Sequence, residues 1–204
     1  MISISLTDFV DFVASSGTPK LTKVRYVKGR PEYHPALDFY RILRNALVAF
    51  HQEGSKDKSE LDGIITNLTD EKKKKRYDTA IRGYKKFLGK KNYEWFTPPG
   101  KTWSPPDDKS IEIKVNPELG LIINGESNLI KIYFKAETLS KRRAETILVL
   151  MQDALSDHCP PGCKMGVLDI QRGKLHSVEH IDLSILPLLY GEADSFKTIW
   201  NNLS

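Results

Sequence analysis

The stretch SIEIKVNPELGLIINGESNLIKIYFKAETLSKRRAETILVLMQDAL, residues 110–155, decides the fold. Ile111 to Val115 alternates apolar and polar residues as a strand does. Asn116-Pro117 makes a corner, and Leu119 to Ile123 forms a second strand. Asn124-Gly125 is the strongest short hairpin signal, because both central positions of a type I′ turn need positive φ. It turns the chain into a third strand, Leu129 to Lys135. There Ile130, Ile132 and Phe134 face one side and Leu129, Lys131, Tyr133 and Lys135 the other. A helix from about Leu139 to Leu155 follows, capped by Thr138 or Ser140. Its inward stripe includes Ala144, Ile147, Leu148, Met151 and Leu155. Met165 to Ile170 gives a fourth strand, and Lys174 to Val178 pairs with it across Arg172-Gly173.

Upstream the chain is mostly helical. Ser5 or Thr7 caps a short helix through Val13, and Ser15 to Pro19 breaks it. Leu21 to Lys28 alternates as a strand. Pro35 starts a helix to His51, with Leu37, Tyr40, Leu43, Leu47 and Phe50 inward. Leu61 to Leu68 is a short helical piece. A longer helix runs from Thr69 or Asp70 to Gly89, a good capping residue. Tyr93 to Pro106, rich in tryptophan and proline, reads as a linker. The expected organisation is therefore a helical region over 1–92, a linker over 93–109 and an α/β core with C-terminal helices over 110–204. The fold class is α+β: helices first, then a small mixed sheet flanked by helices. Past Lys174, Asp182 caps one helix, and Pro187 and Gly191 break it before a last amphipathic helix with Phe196, Ile199 and Trp200.

The 204 residues are 40% hydrophobic and 28% charged, which excludes a disordered chain and predicts a sizeable core. The N-terminus lacks a basic segment followed by an apolar run, and no apolar stretch is long enough to span a bilayer, so a soluble cytoplasmic protein without a membrane partner is expected. The formal net charge of +5 suits a polyanion. Its placement says more. Lys72, Lys73, Lys75 and Arg76 crowd the first turns of one helix, with Arg82 and Lys86 further along. Lys141, Arg142 and Arg143 crowd the first turn of another. Cations there oppose the helix dipole at a cost of ~0.3–1 kcal/mol each, and a bound polyanion would offset it. These nine residues are the candidate nucleic-acid contacts.

The order helix, three antiparallel strands, helix, strand from Thr69 to Ile170 resembles the core of the restriction-endonuclease-like, PD-(D/E)xK superfamily of nucleases. Pro117-Glu118 looks like its Pro-Asp, with glutamate for aspartate, and Lys135 like its final lysine. The resemblance implies a divergent nucleic-acid-binding member, in which phosphodiester hydrolysis would use Mg²⁺ held by Glu118 and Asp169, with Lys135 beside the scissile phosphate. The chain departs from the pattern at Tyr133, where an acid belongs. Asp169, Glu137, Glu126, or Asp78 on the preceding helix are the substitutes to test.

His158, Cys159 and Cys163 lie within six residues, but structural zinc needs four ligands, and only the distant His176 and His180 would complete them, so zinc is not expected. His34 and Asp38 form a polar patch that helix capping explains. The alternative function is a non-catalytic interaction protein, self-associating or binding a partner chain through the apolar run Leu183 to Leu189 and Trp200.

Overall fold

In a computed structural model of the protein, the structure describes residues 1–31 and 38–203. The protein is α+β, with seven helices and two mixed sheets among those residues. The larger sheet has the order β2 (Tyr93–Phe96), β5 (Leu119–Ile123), β6 (Glu126–Tyr133), β7 (Lys164–Asp169) and β8 (Lys174–Ser177). β6 runs antiparallel to β5 and parallel to β7; the other pairs are antiparallel. The hairpin forms as expected, with Asn124 at φ 50° and Gly125 at φ 90° joining Ile123 to its partner Glu126. The smaller sheet has the order β1 (Ile2–Ser5), β4 (Ile111–Val115) and β3 (Lys101–Trp103), with β1 parallel to β4.

β6 divides two cores. Leu129 and Tyr133 enter one, with α6 (Lys141–Leu155), α1 (Leu6–Ala14), the smaller sheet and α7 (Leu186–Asn202). Ile130 and Ile132 enter the other, with α3 (Arg41–Gln52) and α5 (Glu71–Leu88). The helix ends carry the expected caps: Ser5 for α1, Asp70 for α5 and Ser140 for α6 each accept a backbone N–H, and Gly89 ends α5. α4 (Gly63–Thr66) follows a 3-10 turn, Lys58–Asp62.

Several expectations need correction. Leu21 to Lys28 is not a strand but lies in a helix, α2 (Thr18–Lys28). Pro19 sits in its first turn, where the missing N–H costs nothing, and Leu21, Val24 and Val27 recur at three-residue spacing with Val24 fully buried. Tyr93 to Pro106 is no linker. It supplies an edge strand to each sheet, and Trp103 is buried, donating to Asp153 Oδ2 at 2.7 Å and stacking on Tyr190. Consequently the three antiparallel neighbours that precede α6 are β2, β5 and β6, while β4 belongs to the other sheet. The chain is continuous through Gly191 in α7, since Pro187 lies in the first turn and Asp182 caps only the preceding 3-10 turn. The helix read from Pro35 to His51 is described from Arg41; His34, Pro35 and Leu37 lie outside the described residues, and Asp38 pairs with Arg44 at 2.7 Å. No described helix is long and apolar enough to cross a membrane.

α5 meets the β7–β8 turn backbone to backbone. A Cβ on Gly83 would lie 1.9 Å from the Ile170 carbonyl oxygen, and one on Gly173 would lie 2.3 Å from the Gly83 carbonyl oxygen. Gly83→Ala should therefore destabilise the fold by about 2 kcal/mol or more through overpacking, whereas Gly63→Ala, with open space around it, should change the urea midpoint little.

In the second core His51 is buried against Phe50, Tyr93 and Trp95, its Nε2 hydrogen-bonded to the Tyr84 hydroxyl. Burial, and then the Lys56 charge, pull its imidazole down to about 4. The unfolded chain protonates near 6.5, so stability is whole above that pH and is lost as pH falls towards 4, by up to about 3 kcal/mol. Urea unfolding at pH 7 and 4.5 should show this loss, and His51→Gln should flatten it.

Candidate functional site

β6 and β7 are parallel, so their carboxyl ends leave the sheet at one edge, and the chain from β6 to α6 crosses it. Crevices outside such strand ends are where open α/β sheets bind ligands. The two cation-rich helix starts flank this edge. Tyr77 in α5 donates to the Phe39 carbonyl at 2.6 Å, and Tyr40 stacks on Phe134, just past β6, at 4.9 Å between ring centres. That contact brings the first turns of α5 to the end of β6 from one face. α6 begins on the other face, tied to the β6–α6 connection by Arg143 to Glu137 at 3.0 Å.

Lys72, Lys75, Arg76, Lys141 and Arg142 are exposed and have no carboxylate within ion-pair distance among the described residues. Lys73 is half-buried, its ammonium 5.6 Å from the Phe39 ring centre. Arg82 pairs with Asp78. Lys86 is exposed and shares a hollow of about 420 Å³ with Arg82 and Arg172. Arg143 is engaged by Glu137 and, at 3.7 Å, by Asp11, while its Nε is buried with no acceptor.

Beside the edge lies a cleft of about 950 Å³ between α1, α2 and the end of β6. Glu118 and Lys135 both line it; Asp169 does not. Glu118 reaches the cleft because it stands just ahead of β5, where its Oε1 accepts from Lys131 Nζ at 2.6 Å and its Oε2 from the Ile132 N–H at 2.8 Å. Lys131 alternates with Leu129 and Tyr133 on an inward-facing register and so needs a counter-ion. Lys135 pairs with Asp11 from α1, with Glu137 3.8 Å away. Asp169 is fully buried at the end of β7. Its carboxylate takes the Leu139 N–H at 3.2 Å and Arg172 at 3.3 Å to both oxygens.

Each of the three candidate catalytic groups thus has its own partner. The pair Glu118 and Asp169 does not fit a Mg²⁺, which takes an open set of oxygen ligands in near-octahedral geometry. One carboxylate is bound by a lysine and a backbone amide, and the other is sealed in the core behind an arginine. No group of three or more His, Cys, Asp or Glu side chains is placed to hold a metal among the described residues. Tyr133, where an acid belongs, is buried and donates to Glu137 Oε1 at 3.1 Å. Burial, and then the Glu137 charge, push its phenol up to about 12, so it is protonated at neutral pH. Of the substitute acids, Glu137 alone reaches Lys135; Glu126 pairs with Lys164 and Asp78 with Arg82.

The residues not read from the sequence as part of a site are Asp8, Asp11 and Lys131, and Arg30 was read only as the solvated edge of a strand. Asp8 accepts both guanidinium nitrogens of Arg30, at 3.1 and 2.9 Å, and Lys23 at 2.9 Å. Burial alone would raise its carboxyl, but these bonds and that from Ser5 bring it down to about 2. Lys23 also reaches Asp11 at 3.1 Å. Lys131 carried a signal, being a cation at an inward position of a strand. Asp11 carried none, since its partner Lys135 is 124 residues away.

No protein-family model matches the chain, and no curated protein is significantly similar to it.

Glu118→Ala leaves a largely buried lysine and a backbone N–H without acceptors, and should destabilise the fold by about 2–4 kcal/mol. Glu118→Ala with Lys131→Met should recover much of that loss in chemical denaturation; equal losses in the single and double variants would refute the pairing.

Proposed function

We propose that this chain binds nucleic acid along the edge formed by the carboxyl ends of β6 and β7. The observation that carries the reading is the convergence there of uncompensated cations from opposite faces of the sheet. Lys72, Lys75 and Arg76 come from α5, and Lys141 and Arg142 from α6. Two helix N-termini loaded with lysine and arginine are poor electrostatics in isolation. A phosphate backbone along the edge turns both the side chains and the free N–H groups into favourable partners. Arg82 and Lys86 extend the basic surface of α5 towards Arg172, while Lys73 lies over the Phe39 ring. The order α5, β2, β5, β6, α6, β7 within one sheet adds to the resemblance to the restriction-endonuclease-like superfamily, whose members act on nucleic acid. Metal-dependent hydrolysis through Glu118 and Asp169 is not part of the reading, because neither carboxylate is open to a cation.

A second reading has support from the C-terminal segment. Leu189 is buried, but Leu188 is 56% exposed and Leu183 39%. These side chains would serve a protein partner or a second copy of the chain. Trp200 is less available, because it stacks on Phe196.

The two readings differ in their response to salt. Anisotropy titrations with fluorescent DNA and RNA should show binding that weakens steeply between 50 and 200 mM salt. Replacing Lys72, Lys75 and Arg76 with Glu should lower affinity by roughly 10–100-fold and reduce the salt slope by about 2–3. Binding that neither salt nor the triple variant changes would refute the proposal. A monomer–dimer equilibrium abolished by Leu188→Asp would support the second reading.

A further inference from the structure

We infer that the 950 Å³ cleft holds the end of a nucleic-acid strand, a terminal nucleotide carrying a phosphomonoester. The inference rests on the nucleic-acid reading and names what the cleft beside that edge is for. Its size is at the upper end of ligand pockets, ~300–1,000 Å³. Its walls have the mixed character of a nucleotide site. Leu6, Val10, Ile132 and Ile147 give it an apolar side, and Tyr26, Tyr40 and Phe134 offer flat rings. Tyr26 is 63% exposed, with the Arg30 guanidinium 5.0 Å from its ring centre, so one face of a cationic aromatic pair stands at the cleft wall. Bases stack on such rings whatever their sequence.

The charge balance selects the phosphate. Among the described residues, Arg25, Arg30, Arg44, Lys131 and Lys135 line the cleft against Asp11, Asp38 and Glu118, an excess of two positive charges. Adding the ion-paired neighbours behind the wall, Lys23 and Arg143 with Asp8 and Glu137, leaves the excess at two. A phosphomonoester carries about −1.5 to −2 at neutral pH, against −1 for an internal diester. Neutralisation therefore favours a strand end over a strand passing through. Arg25 is exposed on α2 with no ion pair among the described residues. The lysines and arginines in ion pairs hold their geometry before any ligand arrives, which lowers the ordering cost of binding.

The test uses one fluorescent single-stranded sequence in four forms: 5′-phosphorylated, 3′-phosphorylated, hydroxyl at both ends, and covalently closed into a circle. The wild type should prefer one phosphorylated end over the hydroxyl form by about tenfold, the gain of one added charge-assisted contact. Arg25→Glu and Tyr26→Ala, both at exposed positions, should erase that preference and leave affinity for the circle unchanged. Which phosphorylated form is preferred tells the 5′ end from the 3′ end. A circle bound as tightly as either phosphorylated strand overturns the inference while leaving edge binding intact. A preference that survives both substitutions also overturns it. A circle that does not bind while a phosphorylated strand does overturns the edge reading and leaves the cleft standing. Failure of all four forms to bind overturns both.

Discussion

The parallel pairing of β6 with β7 is the constraint from which the rest follows. Two parallel neighbours need a crossover, and α6 supplies it across one face of the sheet. Their carboxyl ends then share one edge, where the candidate site residues gather: Tyr133 ends β6, with Lys135 and Glu137 after it, and Asp169 ends β7, with Arg172 after it. The other face is fixed to the same place by α5, whose Gly83 backbone touches the β7–β8 turn at Gly173. No side chain separates helix from sheet at that contact, so the first turns of α5 have little freedom in where they end. The basic edge is a product of topology before it is a product of charge.

Charge explains the interior of the cleft. An inward lysine at 131 and a lysine at 135 line the cleft, and each takes a carboxylate: Glu118 from the corner before β5, and Asp11 from α1. Asp169, buried among apolar side chains, takes Arg172 and the Leu139 amide. Glu118 and Asp169 thus each meet a fixed cation, and the protonated Tyr133 donates to Glu137.

Much of this was legible in the sequence wherever the signal was local. Asn124-Gly125 marked the hairpin, Asp70 and Gly89 bounded α5, and Ser140 capped α6 with its basic first turn beside it. Glu118, Lys135 and Asp169 were read as one site; the first two line one cleft and Asp169 lies outside it. The misread segments share a physical cause. β1, β2 and β3 are only four, four and three residues long, too short for alternation to show, and β1 pairs far along the chain, with Ile111 to Lys114. In α2, period two and period three both fit the apolar residues, and the burial of Val24 decides between them. Asp169 was read as a metal ligand in a strand; it is buried, and its partners are the Leu139 amide and Arg172. Asp11 lies in a helix read for its apolar face alone, and nothing near it points to Lys135.

The pairing of β1 with β4 also bears on how the chain is made. Ile2 to Ser5 take their register from Ile111 to Lys114, and the apolar face of α1, with Phe9 and Phe12, packs into a core completed by α6 and α7. At translation rates of about 5–20 residues per second, the strand waits roughly 5–20 s for its partner. Throughout that interval two phenylalanines and an unpaired strand edge are without their native cover. The segment is made well before the strand and helices that cover it, so its apolar face and its strand edge wait uncovered through that part of synthesis.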